Sequence, residues 1–272
     1  MCELFALSST HCVDPALSFT ELALHGGQTG GSADGWGVSY YEGQDAVVIR
    51  EPRAAARSPW ARCLVDHPFQ SQSVIAHIRK ATQGEISLRN TQPFQREFQG
   101  RIHVFAHNGN LHGAEGLLNG ADRFNPIGTT DSEIAFCTLL NRLSADTRSG
   151  DLPSFEITWR HFVGLSSEMS RLGPANMIYA NGTHIFAYAD RRIQRSGAIE
   201  PPGLALLERH CGLMAAPSEA AGQSVTGEAT SVIILASVPL SAEGWRSLSQ
   251  GTVLAISFGR VVREEIIPMG SS

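Results

Sequence analysis

The chain has 272 residues, 42% of them hydrophobic, and a formal net charge of -5. This supports a sizeable core in one large domain or two small ones, and gives no basic surplus with which to grip nucleic acid. Five widely spaced cysteines (Cys2, Cys12, Cys63, Cys137 and Cys211) without a C-x-x-C pair argue against a disulfide framework and a structural zinc site, and a single lysine, Lys80, leaves Schiff-base chemistry little to rest on.

Met1-Cys2-Glu3-Leu4-Phe5 lacks the basic and apolar regions of a secretion signal, and runs such as residues 232–235 are too short to span a bilayer. The expected setting is the cytoplasm, with no membrane partner. In chain order, a helix is expected around residues 17–24, before Gly26-Gly27. Strands rich in Val, Ile, Phe and Tyr follow over 35–42, 46–50, 73–79 and 101–106. Thr130-Asp131-Ser132-Glu133 reads as a capping box opening a helix to about residue 143, with Phe136, Leu139, Leu140 and Leu143 at three-four spacing. A second helix is expected over 158–172, stopped by Gly173-Pro174. Strands are then expected over 176–180, 184–189, 231–238, 252–258 and 261–267, with Asn181-Gly182 as a hairpin turn. Residues 201–203 and 215–230 read as loops. The polar stretch 144–153 does not divide two folding units, so residues 1–272 are expected to form one domain. Strands with helices before and between them suggest an α+β fold of two packed sheets covered by helices.

Four places carry chemistry. Cys2 follows Met1, and a small second residue favours methionine removal, which leaves a thiol and a free α-amine on one residue. That amine, with an ordinary pKa of roughly 7.7–8.0, can take the thiol proton near neutral pH. His77-Ile78-Arg79-Lys80-Ala81-Thr82 runs a strand into an arginine fork suited to a carboxylate, with a hydroxyl donor three residues on. His107-Asn108-Gly109 ends an apolar run with a side-chain amide beside a glycine N–H. Such a pair can stabilise a tetrahedral oxyanion, and can equally be a simple Asn-Gly turn. Asp131 sits in the first turn of a helix, where it serves either as a dipole charge or as a partner for a substrate ammonium.

Together, Cys2, His77-x-Arg79-x-Ala81-Thr82, His107-Asn108-Gly109 and Thr130-Asp131 resemble the class II glutamine amidotransferases of the N-terminal nucleophile (Ntn) hydrolase superfamily. Met-Cys-Glu-Leu, Asp34-Gly35-Trp36-Gly37-Val38, Arg89-Asn90-Thr91-Gln92-Pro93-Phe94 and Ala236-Ser237-Val238-Pro239-Leu240 look like the stand-alone YafJ-type group within it. The resemblance implies a four-layer αββα fold with two mainly antiparallel sheets. It implies Cys2 as nucleophile, Asn108 and Gly109 as the oxyanion hole, and Arg79, Thr82, His107 and Asp131 as substrate-binding residues. Arg79 with Thr82 would take the α-carboxylate of glutamine or a γ-glutamyl amide, and Asp131 the α-ammonium. No cofactor and no metal is implied. The expected partners are that small molecule and a separate protein accepting the released ammonia. The sequence departs from the family at His25, Lys80, Gln92 and Val238, where arginine, tryptophan, histidine and glutamate are usual. A hydrolase of a γ-glutamyl conjugate and a catalytically silent glutamine-binding module are the alternatives.

Overall fold

The structure, a computed structural model, describes residues 2–67, 69–118, 122–194, 196–211 and 230–268. The expected loop over 215–230 thus lies almost entirely outside the described residues. The chain runs β1 (Glu3–Val13), α1 (Ala16–His25), β2 (Gly35–Glu42), β3 (Asp45–Glu51), α2 (Pro59–Asp66), β4 (Ser71–Arg79), β5 (Phe94–Phe98) and β6 (Arg101–Gly109). Then follow α3 (Asp131–Ala145), α4 (Phe155–Leu172), β7 (Ala175–Ala180), β8 (Ile185–Ala189), β9 (Arg192–Ile193) and β10 (Ile199–Glu200). The last strands are β11 (Ala205–Cys211), β12 (Thr230–Ala236), β13 (Arg246–Ser247), β14 (Thr252–Ser257) and β15 (Arg260–Ile266).

A seven-stranded sheet in the order β13-β11-β12-β1-β4-β2-β3 packs on a six-stranded sheet in the order β15-β14-β8-β7-β6-β5. The pairings within both are antiparallel. Three apolar clusters separate four layers. One joins α1 and α2 to the outer face of the first sheet, one fills the space between the sheets, and one joins α3 and α4 to the second sheet. The family resemblance implied this αββα sandwich, and the structure has it.

β1 shows why a strand can lack alternation. Leu4 and Ala6 enter the inter-sheet core while Phe5 and Leu7 face the helices, so both faces are apolar and the period-two signal vanishes. The Asn181-Gly182 hairpin forms between β7 and β8 with Gly182 at φ +84°. The expected box at Thr130 forms only in half. Thr130 accepts from the Glu133 N–H at 3.3 Å, but the Glu133 carboxylate turns instead to the N–H groups of Ile127 and Gly128 and to Arg96. α4 begins three residues before its expected start because Ser154 caps it, accepting from the Ile157 N–H. No described helix is long and apolar enough to cross a membrane.

The candidate active site

Antiparallel pairing brings the site together at one end of the sandwich. The start of β1 adjoins the end of β4, with Glu3 opposite Ile78, while β6 ends at Gly109 opposite Ala175, the first residue of β7. Strand parity then aims the side chains. Leu4 and Ala6, Ile75, and Val104 and Ala106 all enter the inter-sheet core, and Cys2, Arg79 and Asn108 share their respective faces. His107 shares the opposite face with Phe105 and points towards α3.

One small cavity is lined by Cys2, Arg79, Lys80, Thr82, Gln83, Gln92, His107, Gly109 and the α3 start at Thr130, Asp131 and Ser132. Its volume of about 20 Å³ is water-sized. The Cys2 Sγ lies 3.2 Å from both the carbonyl and the amide of Lys80, donating to the first and accepting from the second. Burial pushes the Cys2 thiol pKa up, against the Lys80 N–H and the Arg79 charge, which lower it. The thiol is therefore neutral near pH 7.

Asn108 is held on both sides. Its Nδ2 donates to the Cys2 carbonyl at 2.7 Å and lies 3.4 Å from the Ser237 Oγ, and its own carbonyl accepts from Asn176 at 3.2 Å. Ser237 also accepts from the Leu4 N–H at 3.1 Å, so one buried hydroxyl ties β1 to the asparagine amide. The expected turn at Asn108-Gly109 is absent. β6 continues through both residues because β7 pairs with them. Glycine is needed at 109 for close approach, since a Cβ there would lie 1.7 Å from the Pro174 oxygen.

Arg79 is buried and folds back on the loop that follows it, donating to the carbonyls of Gln83 at 3.0 Å and Glu85 at 3.1 Å. Asp34 fixes the start of that loop by accepting from the Ala81 N–H at 2.9 Å. Thr82 is exposed at the cavity rim. Asp131 is buried and accepts from the backbone N–H groups of Leu111 at 2.7 Å and Ser132 at 2.8 Å, which locks the segment after Asn108-Gly109 onto the start of α3.

His107 stands in a directional network. Its Nδ1 is 2.9 Å from the Ser132 Oγ and its Nε2 is 3.3 Å from the Pro174 carbonyl. Pro174 can only accept, so Nε2 carries the proton and Nδ1 accepts from Ser132. Burial lowers the ring's pKa, which keeps it neutral, with Asp131 opposing. Gln92 completes the network. Its Oε1 accepts from the His107 N–H at 2.6 Å, and its Nε2 donates to the His107 carbonyl at 3.1 Å and to Ser132 at 3.2 Å. Gln92 thus imitates a strand partner for β6 just before Asn108 and Gly109. The positioning roles of Gln92, Ser132 and Ser237 escape sequence reading, because each depends on pairing across many residues. Gln92 stands out there only as a departure from histidine, and Ser237 only as part of the closing motif.

The sequence pattern of the glutamine amidotransferases class-II matches residues 1–269. The chain is 39% identical over 208 residues to the "Putative glutamine amidotransferase YafJ" of Escherichia coli (strain K12), covering 76% of this chain and 80% of that one. It is 30% identical over 266 residues to an uncharacterized protein of Methanocaldococcus jannaschii, covering 96% of this chain and 71% of that one. Among solved structures it resembles a predicted glutamine amidotransferase from Pseudomonas aeruginosa PA01, with TM-score 0.69, 27% identity, and 96% and 100% of the two chains covered. The glutamine phosphoribosylpyrophosphate amidotransferase of Bacillus subtilis shares the fold, with TM-score 0.61 at 18% identity, over 99% of this chain and 50% of that one. The chain belongs to the class II glutamine amidotransferases.

Proposed function

We propose that the chain hydrolyses the side-chain amide of glutamine, or of a γ-glutamyl amide, through a thioester on Cys2. The observation that carries this is the meeting of Cys2, Arg79, Thr82, His107, Gly109 and Asp131 around one cavity, from four separate stretches of sequence.

Removal of Met1 frees the Cys2 amine, which takes the thiol proton as sulfur attacks the amide carbon. The developing oxyanion receives the Gly109 N–H and the Asn108 Nδ2 proton that now points to Ser237 over a long 3.4 Å contact. The other Nδ2 proton stays on the Cys2 carbonyl and keeps the nucleophile and the hole in register. Collapse passes the proton to the departing nitrogen, releases ammonia or an amine, and leaves the γ-glutamyl thioester. Water then adds to the thioester, and breaking the C–S bond returns the thiol. The Lys80 N–H is already aimed at sulfur and stabilises the thiolate at both stages.

A cavity of about 20 Å³ does not admit glutamine, so binding opens the loop after Arg79. The Arg79 guanidinium then exchanges neutral carbonyls for a substrate carboxylate, a stronger charge-assisted pairing. Asp131 keeps its two backbone N–H donors and offers its remaining lone pairs to the α-ammonium. The test is ammonia release from glutamine and amine release from a γ-glutamyl amide by the processed protein, beside Cys2→Ala. Turnover of either, lost in the variant, supports the reaction. Tight glutamine binding by the processed protein with turnover of neither substrate makes it a binding module.

A further inference from the structure

A second pocket, of about 110 Å³, lies at the opposite end of β6 from the oxyanion pair. Arg101 and Gly109 are the two ends of that strand, so the pocket is roughly 26 Å from the hole at about 3.3 Å per residue. Arg101 and His103 line it from β6, Asn181, Thr183 and His184 from the β7–β8 turn, and Phe155 from the start of α4.

Asn181, Thr183 and His184 bond one another within the turn, but two basic side chains from β6 keep unpaired atoms. The Arg101 Nε is buried without a hydrogen-bond partner, and Arg101 makes no ion pair among the described residues. His103 is 1% exposed, and its Nε2 likewise has no partner. The other ring nitrogen, Nδ1, lies 2.6 Å from the Tyr179 hydroxyl. With that hydroxyl donating, the ring proton sits on Nε2, where the Phe98 carbonyl competes for it without making a full hydrogen bond. Buried polar atoms are normally paired, so these two donors are open to a ligand. No carboxylate lines the pocket among the described residues, and the nearby Glu156 is engaged by Arg263 at 3.0 Å. The 18-residue helix α4 directs the positive end of its dipole to the same place.

The electrostatics agree. Burial lowers the His103 pKa to about 4, with the Phe98 carbonyl opposing and the Arg101 charge adding to the drop. His184 is lowered by burial and then by Arg101.

We propose that this pocket binds a phosphate-class oxyanion through the Arg101 guanidinium, the His103 Nε2–H and the N–H groups of Phe155 and Glu156, which the Ser154 cap leaves open. The volume suits one tetrahedral group. A larger cavity of about 690 Å³ lies across the same turn, sharing Thr183 and His184 with it. Free phosphate and a phosphoryl ester are thus the two sources of the same chemistry.

The experiment is calorimetric titration of the full chain, in low-salt buffer, with inorganic phosphate and separately with glycerol 3-phosphate. One-site saturable binding is expected, weakened roughly tenfold or more by Arg101→Gln, as for loss of a charge-assisted hydrogen bond. Equal affinities would make inorganic phosphate the ligand, and tighter binding of the ester would make it a phosphorylated metabolite. If Arg101→Gln does not fold, Arg101→Met, which keeps the buried stem and removes the guanidinium, serves in its place, with the same weakening expected. Absence of saturable binding by the folded wild type, or unchanged affinity in the folded variant, overturns the site.

Discussion

Exchanging Gln92 for glutamate tests whether this side chain acts as a strand partner for β6. The two residues have nearly the same shape, so packing is preserved. The Oε1 acceptor for the His107 N–H, at 2.6 Å, is kept. The Nε2 donor is replaced by an oxygen facing the His107 carbonyl, 3.1 Å away in the wild type, and the Ser132 hydroxyl. As a carboxylate, the new group leaves that buried carbonyl unpaired and sets two acceptors against each other, costing about 1–3 kcal/mol for the lost bond and more for the repulsion. As a neutral acid it donates to the carbonyl and restores the pairing. Burial and the facing carbonyl therefore raise its folded pKa above the ordinary glutamate value of about 4.3. The sign follows: a raised acid binds its proton more tightly when folded, so the penalty is absent below the unfolded pKa and complete above the folded one. The assay is urea unfolding of Gln92→Glu and wild type at matched pH values between 4.5 and 8. The stability gap should widen by about 2–4 kcal/mol as pH rises. A gap that is constant across pH, or absent, refutes the pairing role.

Three further outcomes are expected. Asn108→Ala should lower kcat by roughly 10²–10³ with KM nearly unchanged, because an oxyanion donor acts in the transition state; steady-state glutaminase kinetics separate the two constants, and a pure KM effect would remove the residue from the hole. Asp131→Asn should instead raise KM, since it weakens the partner of the α-ammonium while keeping an acceptor for the Leu111 N–H; an unchanged KM in the same assay would count against that role. His77, whose pKa burial pushes down to about 3, and His103, at about 4, are neutral when folded and charge on unfolding. Their contribution is full above pH 6.5 and is lost as pH falls, by about 2–3 kcal/mol per ring at pH 4.5. Thermal melts should drop steeply between those values, and a flat profile would place both rings in a wetter setting.

The residues legible in the sequence are those whose chemistry is local. Cys2 beside Met1, an arginine at a strand end, Asn108 beside Gly109, and Asp131 in a capping motif all announce themselves by type and neighbour. The strand over 35–42 was readable for the same reason, being bounded by Gly35 at one end and Gly43 at the other. What was not legible depends on long-range pairing. β1 hides because both its faces are buried, and β6 was cut short because Asn-Gly normally marks a turn unless a neighbouring strand claims it. Ser237 reaches Asn108 across 129 positions, and Ser132 reaches His107 across 25, with no pattern of spacing to betray either. Glu133 fits the capping box by type, yet Arg96 and the Gly128 N–H hold its carboxylate away from Thr130.

A Cys2 nucleophile is tested most directly by intact mass of the protein after exposure to 6-diazo-5-oxo-norleucine, a glutamine-shaped electrophile. Loss of the Met1 mass together with a single adduct on Cys2, absent from Cys2→Ala, is the expected result. Retained Met1 with no adduct would contradict it, because the α-amine would then be locked in a peptide bond and the buried thiol would have no base.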